Sequence, residues 1–257
     1  MRRILHLLYI GIQLAKANAI SYVAYIVSTV LWLVIILVPA TLFSNLKEQA
    51  LLTIVPGVYA VFVETCALWT STEFLRWLVY TGLPDLFREC GLSIYHYLLS
   101  YSLIDAILAS LASHFLSMVI ASAYLGIDIG IAIPKDMLCI VLAIALAIPV
   151  YMLIGTLMGY LLVSTSISSV WSHVINILMF FGTVIPLNVL PNPWLALVNP
   201  ATIVAELFRA GYGTNTLPLP YLFILTPTLI AVFTAFAKLI GQLCEKRIAK
   251  FGLEYRY

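Results

Sequence analysis

The segment VIPLNVLPNPWLALVNPATIVAELFRAGY occupies residues 184–212, between two long apolar windows of the chain. Pro191, Pro193 and Pro200 interrupt it, and a proline inside a helix removes a backbone hydrogen bond and clashes with the preceding turn. No single helix can therefore run through the whole segment. From residue 201 to 212 the spacing of apolar side chains favours a short helix, which Pro200 can open as an early-turn proline.

Glu206 and Arg209 are the charged residues of this predicted short helix. Their spacing of three places them on one side, whereas Ile203, Leu207 and Ala210 can face lipid or the rest of the protein. An exposed pair of this kind contributes little stability, but in a partly buried site the loss of one partner costs several kcal/mol. We interpret the pair as structural or gating support, with direct substrate contact as the alternative.

The composition of the whole chain indicates a membrane protein. Hydrophobic residues make up 63% of the 257 residues, charged residues make up 9%, and the mean hydropathy is +1.07. Soluble domains carry about 25% charged residues. Since one crossing needs about 20 apolar residues, the chain has room for several spans but not for a large soluble domain. We expect a single transmembrane domain over residues 1–257.

Six windows of the sequence are long and apolar enough to cross a bilayer. Each is continuously apolar, whereas the strands of a membrane barrel would alternate over about ten residues. We therefore predict an all-α membrane bundle. The six windows are residues 21–43, 51–69, 97–125, 137–163, 170–190 and 221–243, and residues 191–218 form an external segment between the last two.

The distribution of basic residues predicts the orientation, because Lys and Arg are retained on the cytoplasmic side. With six spans both termini lie on the same side. Placing them in the cytoplasm leaves three of the 13 basic residues outside, Lys47, Lys135 and Arg209. The others then lie inside: Arg2, Arg3, Lys16, Arg76, Arg88, Lys238, Lys246, Arg247, Lys250 and Arg256.

Residues 2–17 show an amphipathic pattern typical of a helix that lies on the inner membrane surface. Ala17-Asn18-Ala19 also resembles a signal-peptide cleavage site. Cleavage there would export the basic C-terminal tail, against the charge bias, so we favour the interfacial helix. Its polar residues Arg2, His6, Tyr9, Gln13 and Lys16 lie opposite Leu5, Leu8, Ile12 and Ala15.

The longest predicted cytoplasmic segment, residues 71–96, alternates charged residues with large apolar ones. A short helix that touches both lipid and a protein partner would show this pattern. A plain juxtamembrane linker is the alternative. The charged residues are Glu73, Arg76, Asp85, Arg88 and Glu89, and the apolar ones include Phe74, Trp77, Leu86 and Phe87.

Several chemistries lack their motif in this sequence. The chain has no G-x-x-x-x-G-K-[ST] phosphate loop, so an ATP-driven function needs another chain. It also has no G-x-S-x-G, no H-E-x-x-H and no Asp pair at catalytic spacing, so we expect no catalytic residues. The four cysteines, Cys66, Cys90, Cys139 and Cys244, are scattered and imply neither a disulfide nor a metal site.

Three ionisable residues fall inside the apolar windows: Glu64, Asp105 and His114. A charge at the bilayer centre costs at least about 2.5 kcal/mol, so such residues are functional candidates. We expect Glu64 and Asp105 near the cytoplasmic ends of their spans, in reach of water, Arg76 or Arg88. We expect a neutral His114 that bonds to a nearby serine, Ser110 or Ser113, and we favour structural roles for all three.

The end of the fifth window and the external segment contain a series of motifs: Pro186, then Pro191 with Trp194, then Val198-Asn199-Pro200, then Glu206 with Arg209. This series resembles the corresponding region in the permease subunits of type-2 ABC exporters. The predicted cytoplasmic segment is a weaker match. Gly82-Leu83-Pro84-Asp85 stands where the family often has Gly-Thr-Leu-Glu, and Gly91-Leu92-Ser93 where it has Pro-Leu-Ser.

The resemblance extends over nearly the whole chain and implies a fold. It implies an N-terminal interfacial helix, six spans, a cytoplasmic coupling helix between spans two and three, and short external re-entrant helices between spans five and six. It also implies a multi-pass protein of the cell membrane with both termini in the cytoplasm. Two permease copies or paralogues would pair, mainly through spans one and five.

The resemblance further implies an exporter driven by a separate ABC-type ATPase subunit. ATP and Mg would bind to that partner, while this chain would bind no cofactor, metal or nucleic acid. The substrate would be hydrophobic, amphipathic or lipid-linked. Coupling to the ATPase would use Gly82, Asp85, Phe87, Arg88 and Glu89, and the external re-entrant segment would use Pro191, Trp194, Asn199, Pro200, Glu206 and Arg209.

An ion-coupled secondary transporter is the alternative reading. Such a protein carries its own ion-coupling carboxylates and broken central helices. Glu64 and Asp105 could serve as the carboxylates, and Pro149 could break the fourth span. No inverted repeat is visible in the sequence, which counts against this alternative.

Overall fold

A computed structural model of the chain describes residues 47–81, 93–164, 177–192 and 196–251, together with residues 89 and 174 and isolated positions between 9 and 35. These residues are almost entirely helical, and a single isolated β-bridge joins Phe181 and Ile185. Most of the predicted interfacial helix 2–17 and of the first window, 21–43, lies outside the described residues. Both remain predictions.

The described helices follow one another as long and short elements. A π-helix, Leu103–Ala109, joins α2 to α3 without a break, and two 3-10 turns are present at Ile129–Ala132 and Leu187–Val189. The α-helices are α1 (Lys47–Thr81), α2 (Ile94–Ser102), α3 (Ser110–Leu125), α4 (Met137–Ser164), α5 (Thr202–Tyr212) and α6 (Leu219–Phe251).

Four helical stretches in the described part are long and apolar enough to cross a membrane. They match the second, third, fourth and sixth predicted windows, each with small changes at its ends. The all-helical class and the membrane-spanning length of these four windows are therefore confirmed. The stretches are Lys47–Thr72, Tyr95–Leu125, Met137–Leu161 and Leu219–Ile248.

The prediction for the fifth window was wrong at its C-terminal end. The window was expected to cross the membrane as a helix to residue 190, but the helical residues end at Met179 and a turn follows. Gly182 has a φ of +80°, a left-handed conformation that favours glycine, and Pro186 removes a helix donor shortly afterwards. Apolar composition alone does not distinguish a helix from this compact turn.

The core of the described bundle lies around α1 and α4. Helix α4 packs against α1, α2, α5 and α6, and Gly155 lets α4 approach the side chain of Leu98 on α2. Helices α1 and α6 differ sharply in burial. In the most apolar stretch of α1, 78% of the residues are buried, whereas in that of α6 only 11% are. Helix α6 therefore presents most of its apolar surface outward.

One end of the bundle gathers the connections between helices, and we call it the loop end. It contains the start of α1, the connection 126–136 and residues 211–219. Backbone hydrogen bonds from Lys135 and Asp136 to the carbonyl of Gly211, 2.8 and 3.0 Å long, tie two of these connections together. The opposite end contains Thr81, where α1 stops, and Ser93, which caps α2 through its side chain.

Most of the predicted coupling residues lie outside the described part: Gly82, Asp85, Phe87 and Arg88. Glu89 is described as helical and exposed. Helix α1 continues to Thr81, well past the predicted end of its span at residue 69. The start of the predicted coupling segment 71–96 is therefore a continuation of α1 rather than a separate short helix.

Candidate functional site

The short helix α5 runs antiparallel to α1 inside the bundle. Thr214, just after α5, donates to the carbonyl of Leu52 at 2.9 Å, and the rings of Phe208 and Tyr59 stack with centroids 4.0 Å apart. Between these two contacts, Arg209 of α5 donates to the carbonyl of Thr53 in α1 at 2.9 Å. Residues late in the α5 region therefore contact residues early in α1, and earlier residues of α5 contact later residues of α1, which makes the two helices antiparallel. With a rise of about 1.5 Å per residue, α5 is about 16 Å long, half of a hydrocarbon core.

Pro56 explains why α1 can bind α5 through its backbone. A proline within a helix donates no hydrogen bond, so the carbonyl of Leu52, four residues earlier, lacks its usual partner. The Thr214 hydroxyl fills that place. Arg209 donates through Nε to the next carbonyl, that of Thr53, at 2.9 Å. The proline therefore frees one acceptor in α1, the Leu52 carbonyl, which Thr214 uses.

Arg209 and Glu206 form a completely buried ion pair. The Arg209 Nη1 lies 2.8 Å from Oε1 of Glu206, and both side chains have 0% exposure. Arg209 also donates to the carbonyls of Gly182 and Thr183, while Oε2 of Glu206 accepts from two backbone N–H groups at 2.7 and 3.0 Å. Such partners offset the desolvation cost of two buried charges. The backbone donors are Thr216 and Leu217.

Two glycines allow this network to close. A Cβ on Gly57 of α1 would collide with the Thr183 carbonyl and come within 2.9 Å of Nη2 of Arg209. A Cβ on Gly182 would collide with Thr202 at the start of α5. Helix α5, the turn after Met179 and α1 therefore approach so closely that a Cβ at either glycine would clash.

One expectation for this segment is confirmed and another was wrong. Ile203, Leu207 and Ala210 were expected to face lipid or the bundle, and they are buried in the bundle together with the rest of α5. Pro200 was expected in the first turn, but α5 begins at Thr202 with Ala201 as its N-cap. Pro200 instead lies in the turn that the Thr202 N–H closes onto the Asn199 carbonyl.

The remaining predicted residues of the external segment occupy different places. Asn199 donates to the carbonyls of Met179 and Phe181, both at 3.1 Å, and so joins the start of α5 to the end of the fifth window. Pro191 is exposed, and Trp194 lies outside the described residues. Asn199 is therefore part of the α5 anchor, whereas Pro191 is not.

Asp105 forms the second polar centre. It is 2% exposed, and its carboxylate accepts hydrogen bonds from three hydroxyl groups on three other segments. Tyr22 donates to Oδ1 at 2.5 Å, and Thr70 of α1 and Tyr151 of α4 donate to Oδ2 at 2.8 Å. Asp105 was expected to reach water or to pair with Arg76 or Arg88; it is buried from surface water, and those two arginine side chains lie outside the described part. We call these four residues the Asp105 cluster.

The π-helix at Leu103–Ala109 contributes to this centre. The backbone N–H of Ser110 bonds to the carbonyl of Asp105, five residues earlier, rather than to that of Ala106. The Ala106 carbonyl accepts instead from the Tyr59 hydroxyl at 2.8 Å. π-Helices occur frequently at functional sites, where the wider turn frees backbone groups.

Glu64 and His114 are also buried. Glu64 is 1% exposed, and its Oε2 has no hydrogen-bond partner in the described part of the chain. His114 bonds through Nε2 to the Tyr212 hydroxyl at 2.9 Å, not to a neighbouring serine as expected. Tyr212 in turn donates to the Ala132 carbonyl, which links α3, α5 and the loop end.

The comparisons with known proteins add no family to these observations. No protein-family model, curated protein or solved structure matches the chain. Among the described residues, no three His, Cys, Asp or Glu side chains are placed to hold a metal ion.

Sequence reasoning missed the hydroxyl groups and glycines that complete both centres. Tyr22, Thr70 and Tyr151 each lie in or beside apolar windows without any motif around them. Pro56-Gly57 was the available signal, since a Pro-Gly pair inside a predicted span marks a place where another backbone can approach.

Proposed function

We propose that this chain is the transmembrane permease subunit of an ATP-binding-cassette exporter. It moves a hydrophobic, amphipathic or lipid-linked substrate out of the cytoplasm, and a separate ATPase subunit that binds ATP and Mg supplies the energy. The permease works as a dimer in the cell membrane, with both termini in the cytoplasm and the loop end outside.

The observation that carries the proposal is the position of α5. A short helix with a charged pair lies inside the bundle, beside the part of α1 that contains Pro56, immediately before the last span. The motif resemblance implies short re-entrant helices within residues 191–218, and the short helix in this range supports the proposal.

The packing supports a mechanism in which α5 moves together with α1. Arg209 fixes α5 to α1 near the loop end through its bond to the Thr53 carbonyl, while α1 extends to Thr81 at the opposite end. ATPase closure that pushes on residues 82–89 would therefore act on the α1 terminus. A rigid helix can carry that displacement to α5 and open a path at the loop end.

The direct test is purification of the tagged chain from its native membranes in mild detergent. We expect a phosphate-loop ATPase to co-elute at one copy per permease, with vanadate-sensitive ATP hydrolysis. The control is the same purification after a wash that dissociates peripheral subunits. An ATPase-free preparation from membranes in which chemical cross-linking has first fixed all complexes would contradict the proposal.

A second test addresses the coupling residues. The double substitution Asp85→Ala and Arg88→Ala should lower permease-dependent ATPase stimulation without lowering the Tm of the permease, because residues 82–89 follow the end of α1. Lys135→Ala is the control, since it removes an exposed charge at the loop end. Full stimulation and an intact complex in the double variant would show that coupling lies elsewhere.

An ion-coupled secondary transporter is the second candidate, and the Asp105 cluster is the observation that favours it. A buried carboxylate held by hydroxyls from three segments could exchange a proton during transport. Substrate efflux that follows an imposed proton gradient in ATPase-free vesicles, and that Asp105→Asn abolishes, would support this candidate over the exporter.

A further inference from the structure

The outward surface of α6 carries polar side chains of two kinds. The exposed threonines Thr228 and Thr234 donate to carbonyls of their own helix, as hydroxyls do where no water is at hand. In contrast, the exposed side chains of Lys238, Gln242 and Lys246 have no hydrogen bond or ion pair in the described part of the chain. Their donors are therefore available to a molecule from outside the bundle.

Lys238, Gln242 and Lys246 form one row on α6. They are four residues apart, so each lies about one turn from the next on the same face of the helix. All three are exposed, so the row lies outside the contact between α6 and α4. Glu245, the only carboxylate in the sequence of α6, is half-buried and has an interaction of its own. The described residues thus leave both lysine charges of the row without a counter-charge.

The row lies at the depth of lipid headgroups. Lys238 is about 28 Å along the helix from Leu219, where α6 begins, and this is nearly the thickness of a hydrocarbon core. Gln242 and Lys246 follow about 6 and 12 Å farther along. The neighbouring helix gives the same level, because Gly241 of α6 lies beside Tyr95, where another membrane-spanning stretch begins. The row therefore crosses the membrane surface at the end of the bundle opposite the loop end.

The part of α6 that precedes the row suits an acyl chain. Ala235 and Ala231 lie about one and two turns before Lys238 on the same face, and both are exposed. Small side chains let a neighbouring molecule approach the helix closely, and the exposed Phe236 and Leu239 stand beside them. Apolar surface thus adjoins unpaired donors, and a phospholipid joins acyl chains to a phosphate acceptor in the same order.

We propose that Lys238, Gln242 and Lys246 bind the headgroup of an anionic phospholipid, with an acyl chain against Ala235 and Ala231. The lysines supply positive charge on flexible four-carbon stems, and the amide of Gln242 supplies N–H donors between them. A zwitterionic phospholipid has the same phosphate but also carries a cationic group, which the lysines repel. The site does not depend on the proposed transport function.

The competing explanation is a general attraction between basic side chains and a negatively charged membrane. The test measures binding of phosphatidylglycerol and of phosphatidylcholine to the delipidated full-length protein in detergent, by native mass spectrometry. Lys238→Gln with Lys246→Gln removes both charges of the row. The matched control is Lys47→Gln with Lys135→Gln, which removes two exposed charges at the loop end. An unchanged Tm verifies that each double variant is folded.

We expect the row variant to bind phosphatidylglycerol about 30-fold more weakly than the parent, because each lysine near charged lipid contributes a factor of about five. Phosphatidylcholine binding, and the control variant, should change by less than about twofold. An equal loss in the two double variants would overturn the site and leave only general attraction, and an unchanged affinity in the row variant would also overturn it. Displacement of the lipid by an equal concentration of glycerol phosphate would overturn the role of the acyl chain.

Discussion

Glu206 and Asp105 are both buried carboxylates, but they are stabilised by different kinds of partner. Glu206 binds the guanidinium of Arg209 and two backbone N–H groups that are fixed by the chain. Asp105 binds only side-chain hydroxyls, from Tyr22, Thr70 and Tyr151. The first carboxylate has a full counter-charge in contact, and the second has none in its recorded bonds.

The difference indicates which centre is fixed and which can change. The backbone donors and the guanidinium hold the Glu206 carboxylate in one geometry. Removing any of them leaves a buried charge without a partner in apolar surroundings. A hydroxyl can donate or accept and can rotate to another partner, so a cluster of hydroxyls tolerates movement of the helices that carry it. We therefore expect the Glu206 centre to govern stability and the Asp105 cluster to govern helix rearrangement.

The largest expected effect follows from removing the guanidinium. Arg209→Met leaves Glu206 buried without its cation and leaves three backbone carbonyls without a donor, so the free energy of unfolding should fall by about 3–5 kcal/mol. Lys135→Met, which changes an exposed side chain at the loop end, is the matched control. Thermal unfolding of the purified proteins measures both, and equal Tm values would refute the anchoring role of Arg209.

A smaller loss is expected from closing the space between α1 and α5. Gly57→Ala adds a methyl group that meets the Thr183 carbonyl and Arg209, and overpacking of this kind costs about 1–3 kcal/mol. Gly241→Ala is the control, because its nearest contact, with Tyr95 at 3.4 Å, is ordinary. If both alanine variants unfold at the parent temperature, α5 does not pack at backbone distance on α1.

The two carboxylates can be compared directly by neutralising each in turn. Asp105→Asn should lower the free energy of unfolding by about 1 kcal/mol, because the hydroxyls can rotate to accept from the new amide. Glu206→Gln should cost several times more, since it leaves the Arg209 cation without a counter-charge. Chemical denaturation in detergent measures the pair, and a larger loss for Asp105→Asn would reverse the assignment of the two centres.

The smallest expected effect concerns the carbonyl that Pro56 frees. Thr214→Val should cost about 0.5–1.5 kcal/mol by leaving the Leu52 carbonyl without a donor. In a Pro56→Ala background the new N–H can bond to that carbonyl, so the same substitution should cost less. A double-mutant cycle measures the difference, and an equal cost in both backgrounds would show that Pro56 is not the cause.

Features formed by residues close together in the sequence were predicted better than contacts between residues far apart in it. The spacing of Glu206 and Arg209 predicted their ion pair, and continuous apolar composition predicted the four spanning helices. The acceptor of Arg209 in α1 lies 156 residues away, and no local pattern specifies it. The turn after Met179 was missed because its residues are as apolar as those of a span, although Gly182 and Pro186 are the signals that distinguish it.

The same limit applies to the Asp105 cluster. The free-energy cost of placing a charge inside a membrane span identified Asp105 as a candidate. That cost does not indicate whether an arginine, water or hydroxyl groups stabilise the carboxylate. Its hydroxyl partners come from three segments whose pairing depends on how the helices pack. The π-helix that exposes the Ala106 carbonyl has no sequence signature in this chain.

Hydrogen–deuterium exchange on the purified, intact protein measures the contrast between the two centres most directly. The amides of α5 should be among the slowest to exchange, because the helix is buried on all sides and fixed to α1 by Arg209. Residues 103–109 of the π-helix should exchange faster than α5, since only rotatable hydroxyls hold Asp105. Faster exchange in α5 than in the π-helix would contradict this division into a fixed and a changeable centre.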